Sequence, residues 1–169
     1  MSMIANFLRV SQDELDAFLN DSSLLEDRIY NEESDESNLL DIDKSWDGII
    51  YLLTGSGLQN VDLSDDSGLH KIIFSGQLID PEQDLGYGPA HYLTPEEVKN
   101  VSKSLSGISK ENLYSKYNPS DMAAQEVYPI IWEEEGDEAF DYLYSYFEDL
   151  KEFYEQAAKE NQAVISILN

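Results

Sequence analysis

Chemistry in this chain would have to come from a short roster of side chains. Asp41 and Asp43 stand two apart after Leu39 and Leu40, an arrangement in which a nucleophilic aspartate can end a strand. That phosphatase pattern needs a long apolar strand before the pair and Gly-Thr or Gly-Val after it; Lys44-Ser45-Trp46 follows here. The same segment puts Asp41, Asp43 and Ser45 at alternate positions of a calcium loop, but Trp46 and Leu52 occupy the places that require glycine and a bidentate glutamate. Asp43 therefore reads as a helix N-cap, with Asp47 a first-turn carboxylate that complements the helix dipole.

The remaining candidates are thin. His70 and His91 are the two histidines, no Gly-x-Ser-x-Gly elbow accompanies them, and no His-x-x-x-His pair offers zinc spacing. Gly86-Tyr87-Gly88 and Thr54-Gly55-Ser56-Gly57 lack the further glycine or lysine of a phosphate loop. With no cysteine, disulfides, thiolate metal sites and cysteine nucleophiles are excluded. No catalytic residue, metal or cofactor is expected. Trp46, Tyr87 and His91, the last following a glycine-rich turn, define an alternative: a small enzyme or ligand binder with a pocket between them.

Charge points elsewhere. Asp and Glu number 35 against 10 Lys and Arg, a formal net charge of −25. Such a field repels phosphate backbones and anionic membrane surfaces, and it steers basic proteins inward. Glu133, Glu134, Glu135, Asp137, Glu138 and Asp141 concentrate that charge just where Tyr142, Tyr144 and Tyr146 lie off an apolar stripe, a composition suited to an Arg- or Lys-rich partner. The leading expectation is a non-catalytic acidic binding protein, of the immunity-inhibitor type, for a basic protein partner and not for nucleic acid or membrane. Its candidate binding residues are Asp43, Trp46, Asp47, Tyr87, His91, Glu134, Glu135 and Glu138. The opening residues lack a basic region followed by a long apolar stretch, and no apolar run approaches the ~20 residues of a membrane span, so a cytoplasmic location is expected.

The elements that must position these residues are legible in part. Met3 to Val10 reads as a strand, and Ser11 to Glu14 as a capping box opening a helix with Leu15, Phe18 and Leu19 at helical spacing. Residues 21–38 read as a short helix plus a mobile loop. Asp43 should cap a helix carrying Trp46, Ile49, Ile50 and Leu53, stopped by Gly55. Leu69 to Phe74 fits a strand or a helical turn, and Gly86 to Pro89 a turn. Thr94-Pro95-Glu96-Glu97 is a strong helix start, with Val98, Val101 and Leu105 inside. Ser109 begins another helix that Asn118-Pro119 ends. Tyr128 to Trp132 reads as extended. Phe140, Leu143, Phe147, Leu150, Tyr154 and Ala157 then draw one stripe along a helix from about Glu138 to Glu160, roughly 35 Å long. Asn161 fits a left-handed cap before a closing strand from Ala163 to Leu168. The expected fold is one α+β domain over residues 1–169, with a small mixed or antiparallel sheet that includes both terminal strands, covered by the Trp46, Val98 and Phe147 helices.

The block from Leu40 to Gly55, centred on Asp43-Lys44-Ser45-Trp46-Asp47-Gly48, resembles the signature of the YfbM-like family of small bacterial proteins, a domain of unknown function. The Met-rich opening strand, Gly86 to Ala90 running into Leu93-Thr94-Pro95-Glu96-Glu97, the Val127-Tyr128-Pro129 corner and the last helix and strand follow the order of that family. The resemblance implies a compact α+β domain and assigns no activity.

Overall fold

The first and last strands, β1 (Ala5–Val10) and β4 (Ala163–Leu168), lie side by side at the centre of an antiparallel sheet in the computed structural model, which describes residues 2–31, 33, 36–65 and 68–169. Ala5 faces Leu168 and Val10 faces Ala163. β2 (Leu39–Asp41) pairs with the free edge of β1 and β3 (His91–Leu93) with that of β4, giving the order β2-β1-β4-β3. The sheet is antiparallel throughout and includes both terminal strands, as expected of an α+β chain.

Pleating sends Ala5 and Phe7 to one face and Leu8 and Val10 to the other. On β4, Val164 joins the first set, and Ala163, Ile165 and Ile167 the second. Both faces are buried, so these strands read as apolar runs without clean alternation. The first face is covered by α3 (Trp46–Thr54), α4 (Pro95–Ser106) and α8 (Asp137–Lys159). The second face packs against Leu15 and Phe18 of α1 (Gln12–Asn20), Leu25 of α2 (Ser23–Tyr30), and Ile79, Leu85 and Ala90. Among the described residues no helix is long and apolar enough to cross a membrane.

Local signals placed most helix ends. Ser11 with Glu14 and Thr94 with Glu97 form reciprocal capping boxes, Gly55 caps α3 in the left-handed region, and Asn161 turns the chain at φ 57°. Leu69–Ile72 is a single 3-10 turn. Asn118 both follows α5 (Lys110–Lys116) and opens α6 (Pro119–Ala124), its side chain accepting from the Asp121 amide. That sixth helix is too short for periodicity to show it. Leu19 is 40% exposed, outside the inner face of α1. The stretch read as a mobile loop falls partly on residues 32, 34 and 35, outside the described residues.

Two expectations are corrected. Asp43 is not an N-cap: it opens a 3-10 turn, Asp43–Ser45, at φ 51°, and α3 starts at Trp46 with no side-chain cap. Asp41 takes the Asp43 amide at 2.7 Å, and this local bond competes with helix capping. Nor is Tyr128 to Trp132 extended. Tyr128-Pro129 is cis, Ile130 lies at φ 62°, and α7 (Trp132–Glu135) begins at once. The Trp132 indole N–H donates back to the Val127 carbonyl at 2.7 Å, folding the segment onto itself.

Gly48 shows how closely the first face is packed. A Cβ there would lie 2.6 Å from Leu143 Cδ2 and 2.9 Å from the Trp132 ring, so α3 meets α7 and α8 only because a side chain is missing. Alanine normally favours a helix over glycine by about 1 kcal/mol. We expect Gly48→Ala instead to destabilise the protein by about 1–3 kcal/mol through overpacking. A urea melt giving an unchanged or higher midpoint would show that these helices are not in such contact.

Candidate functional site

The expected site residues separate into three places. Trp46 and Asp47, the first residues of α3, point inward. Trp46 is 3% exposed, donates its indole N–H to the Met3 carbonyl at 3.0 Å, stacks on Tyr128 at 5.5 Å and meets the edge of Phe74 at 5.7 Å. His91 sits against the same Phe74 at 5.4 Å, so one row runs Tyr128, Trp46, Phe74, His91. The His91 Nδ1 accepts the Gly76 amide at 3.1 Å, which leaves the proton on Nε2. With so little of the indole exposed, Trp46 itself offers no open face for stacking a ligand, while Phe74, His91 and Tyr128 are half-buried.

Asp47 is 4% exposed and accepts two backbone amides, Leu58 at 2.7 Å and Tyr128 at 2.9 Å. Burial raises its pKa above the ordinary carboxylate range, and those two bonds pull it back. Asp43 reaches α8, where its carboxylate accepts the Tyr142 hydroxyl at 2.7 Å. Burial and that bond push the Tyr142 phenol up. Tyr87 stands elsewhere, 39% exposed at the tip of a turn whose Gly86 and Gly88 amides are both taken by Asp84. No ring contact joins Tyr87 to the Trp46 row among the described residues.

Glu134 and Glu135 on α7 and Glu138 on α8 are exposed. A cleft that the sequence did not disclose lies between α5 and α8, and none of these three residues lines it. One wall is α5, through Lys110, Glu111, Tyr114 and Ser115; the other is α8, through Asp137, Phe140 and Asp141, with about 510 Å³ between them. Asp137, Phe140 and Asp141 share a helix face by their three- and four-residue spacing. Phe140 is buried beneath, while Tyr114 is 50% exposed. The Tyr114 ring meets the Phe140 edge at 5.0 Å, and its hydroxyl donates to Asp137 at 3.1 Å. That bond, with the Asp137 charge, raises the Tyr114 pKa. Tyr117 backs Phe140 at 5.5 Å and is fixed by its hydroxyl on the Gly136 carbonyl. Lys110 Nζ lies 5.0 Å from the centre of the Tyr144 ring. Among the described residues no basic side chain forms an ion pair with Glu133, Glu134, Glu135, Asp137, Glu138 or Asp141. The one signal that could have found the cleft is Tyr114 itself, a large aromatic one step off the inward Leu113.

A second cleft, of about 350 Å³, separates α4 from the 69–72 turn and has Ile72, Leu93 and Val101 among its walls. Among the described residues no group of three or more His, Asp or Glu side chains could hold a metal ion.

An open four-stranded antiparallel sheet with helices on both faces defines the class as an α+β fold. The chain belongs to the family described as Domain of unknown function (DUF1877), whose match spans residues 1–167. It is similar in structure to YfbM from Escherichia coli, itself a protein of unknown function, with a TM-score of 0.78 and 18% identity over 98% of this chain and 99% of that one. At that identity the likeness is one of fold. No curated protein matches the chain.

Burial lowers the pKa of His91, so the fold favours its neutral form. Below about pH 6.5 the unfolded chain binds a proton that the folded chain resists, and stability falls with pH. The His91 contribution is whole above that point and is lost as pH falls through the depressed folded value. Urea melts between pH 7.5 and 5 should show a smaller fall for His91→Gln than for the parent, by at most about 1.4 kcal/mol per pH unit, the ceiling for one proton. The comparison cancels the carboxylates common to both. Equal slopes would mean that His91 titrates as it does in water.

Proposed function

We propose that this chain is a non-catalytic acidic binding protein of the cytoplasm, of the immunity-inhibitor type, that engages a basic protein partner through the face made by α5, α7 and the start of α8. The carrying observation is the cleft there, which puts a half-exposed tyrosine between carboxylates that have no basic partner among the described residues. The dipole of α8 offsets part of the charge at its start, but one helix terminus is worth only about half a unit charge. The remaining repulsion is relieved when a cationic surface docks. Desolvated aromatic area supplies affinity, and the surrounding charge supplies approach rate. The same charge turns nucleic acid away.

The reading is tested with a defined probe, a lysine- and arginine-rich peptide, followed by stopped-flow fluorescence at low and near-physiological salt. Association with the parent should slow about tenfold or more across that range. Glu134→Lys, Glu135→Lys and Glu138→Lys together should weaken binding strongly, with the urea midpoint unchanged. The same change of charge placed far away, at Asp13, Asp16 and Glu26 on α1 and α2, should weaken it much less. Equal losses from both triple variants would reduce the effect to net charge and overturn the assignment to this face.

A further inference from the structure

We infer that the α5–α8 cleft is a socket for one arginine side chain of the protein partner, and that Lys110 is the residue that sets its selectivity. This rests on the reading of the face as a docking surface for a basic protein and goes on to name the group that enters it.

The cleft has the two parts that a guanidinium uses. Its aromatic part is Tyr114, half exposed above the buried Phe140 and held by the hydroxyl bond to Asp137. Its charged part is Asp137 and Asp141 one turn apart on α8, with Glu111 facing them from α5. A guanidinium is planar, sheds water more readily than an ammonium, stacks on aromatic rings and presents a fork of donors to carboxylates. A lysine ammonium is a compact, strongly hydrated point charge and gains less from a ring bordered by separated carboxylates. The three aliphatic carbons of an arginine stem can lie along the tyrosine while its head reaches the acids.

Lys110 gives the second observation. Its ammonium rests 5.0 Å from the centre of the Tyr144 ring, at the margin of the same cleft. The wall of α8 thus already holds one cation over an aromatic ring, and that cation is the chain's own. Its charge opposes any arriving cation, so entry is reserved for a group whose stacking and bidentate bonding outweigh the repulsion. A lysine, whose ammonium can sit over a ring but has neither a plane to stack nor a fork for bidentate bonding, is disfavoured. Lys110 acts here as a specificity residue; removing its charge should tighten binding and narrow the gap between arginine and lysine.

The test uses four peptides with identical basic flanks and a central arginine, lysine, citrulline or norleucine, titrated by fluorescence anisotropy against the full chain. The arginine peptide should bind about tenfold more tightly than any other, a difference of about 1.4 kcal/mol. Tyr114→Leu and Asp141→Asn change exposed positions, and each should erase most of that preference while leaving the urea midpoint in place. Lys110→Met should strengthen binding of all the cationic peptides severalfold and reduce the preference. Arginine and lysine peptides that bind within twofold of each other, or a preference that survives in both Tyr114→Leu and Asp141→Asn, would overturn the socket. If the four peptides bind alike but lose affinity with the Glu134, Glu135 and Glu138 reversals, the basic-partner reading stands and the arginine assignment fails. If none binds, both fail. Free arginine binding as tightly as the peptide would overturn the assignment to a protein partner.

Discussion

A single buried carboxylate pins two separate connections to the start of α3. Asp47 sits at the start of α3 and takes the amides of Leu58 and Tyr128, residues from two separate connections. Removing it would strand two backbone donors, at about 1–3 kcal/mol each where water stays out. The geometry around it tolerates little. A Cβ on Gly57 would lie 2.9 Å from Val127 and 3.4 Å from the Asp47 carboxylate, so the chain passes there as glycine. Once Tyr128 is fixed by its amide, its ring stacks on Trp46 and its hydroxyl takes the amide of Met3 at 2.9 Å. Trp46 in turn holds the Met3 carbonyl, which ties the entry to β1, and hence the central strand pair, to the same node. A buried ion is costly to desolvate, and this one lies in reach of amides instead of a cation. Its value is one of arrangement: it decides where two loops cross the end of α3.

How much of this could be read from the chain depends on the range of the interaction. Capping boxes act over three residues, so Ser11 with Glu14 and Thr94 with Glu97 were legible, and the α8 stripe was legible because it repeats over many turns. β2 was missed because three residues pair only across a long loop. Asp43 misled because aspartate before an apolar helix resembles a cap, whereas its carboxylate belongs to Tyr142 on α8, 99 positions away in sequence. Asp47 was placed correctly in the first turn, but a dipole role and a loop-stapling role look the same until the loops are seen. The segment from Tyr128 to Trp132 carries an apolar composition that suits a strand; what bends it is the long-range bond to Asp47 and the return of the Trp132 indole.

The cleft was half legible for the same reason. Its charge lay in plain sight between Glu133 and Asp141, but its aromatic half comes from α5, a seven-residue helix whose placement against α8 depends on tertiary packing. Phe140 reads as core from its spacing, and it is core; its edge also underlies Tyr114. The proposed docking face thus stands on the same rigid helix that covers the sheet. Of the three residues of the alternative pocket, Trp46 and His91 both pack on Phe74, while Tyr87 stands apart at its turn. Phe140 and Leu143 link the cleft to the core: through them α8 packs on Tyr114 of α5 and on Gly48 of α3.

The dependence on Asp47 is tested most directly by amide hydrogen exchange in the parent and in Asp47→Ala. The amides of Leu58 and Tyr128 should be protected in the parent well beyond their loop neighbours. In the variant both should open together, with the Trp46 indole N–H following, while the β1–β4 amides remain slow. Leu58 and Tyr128 amides that exchange in the parent as fast as the residues beside them, or that respond independently to the substitution, would contradict the account.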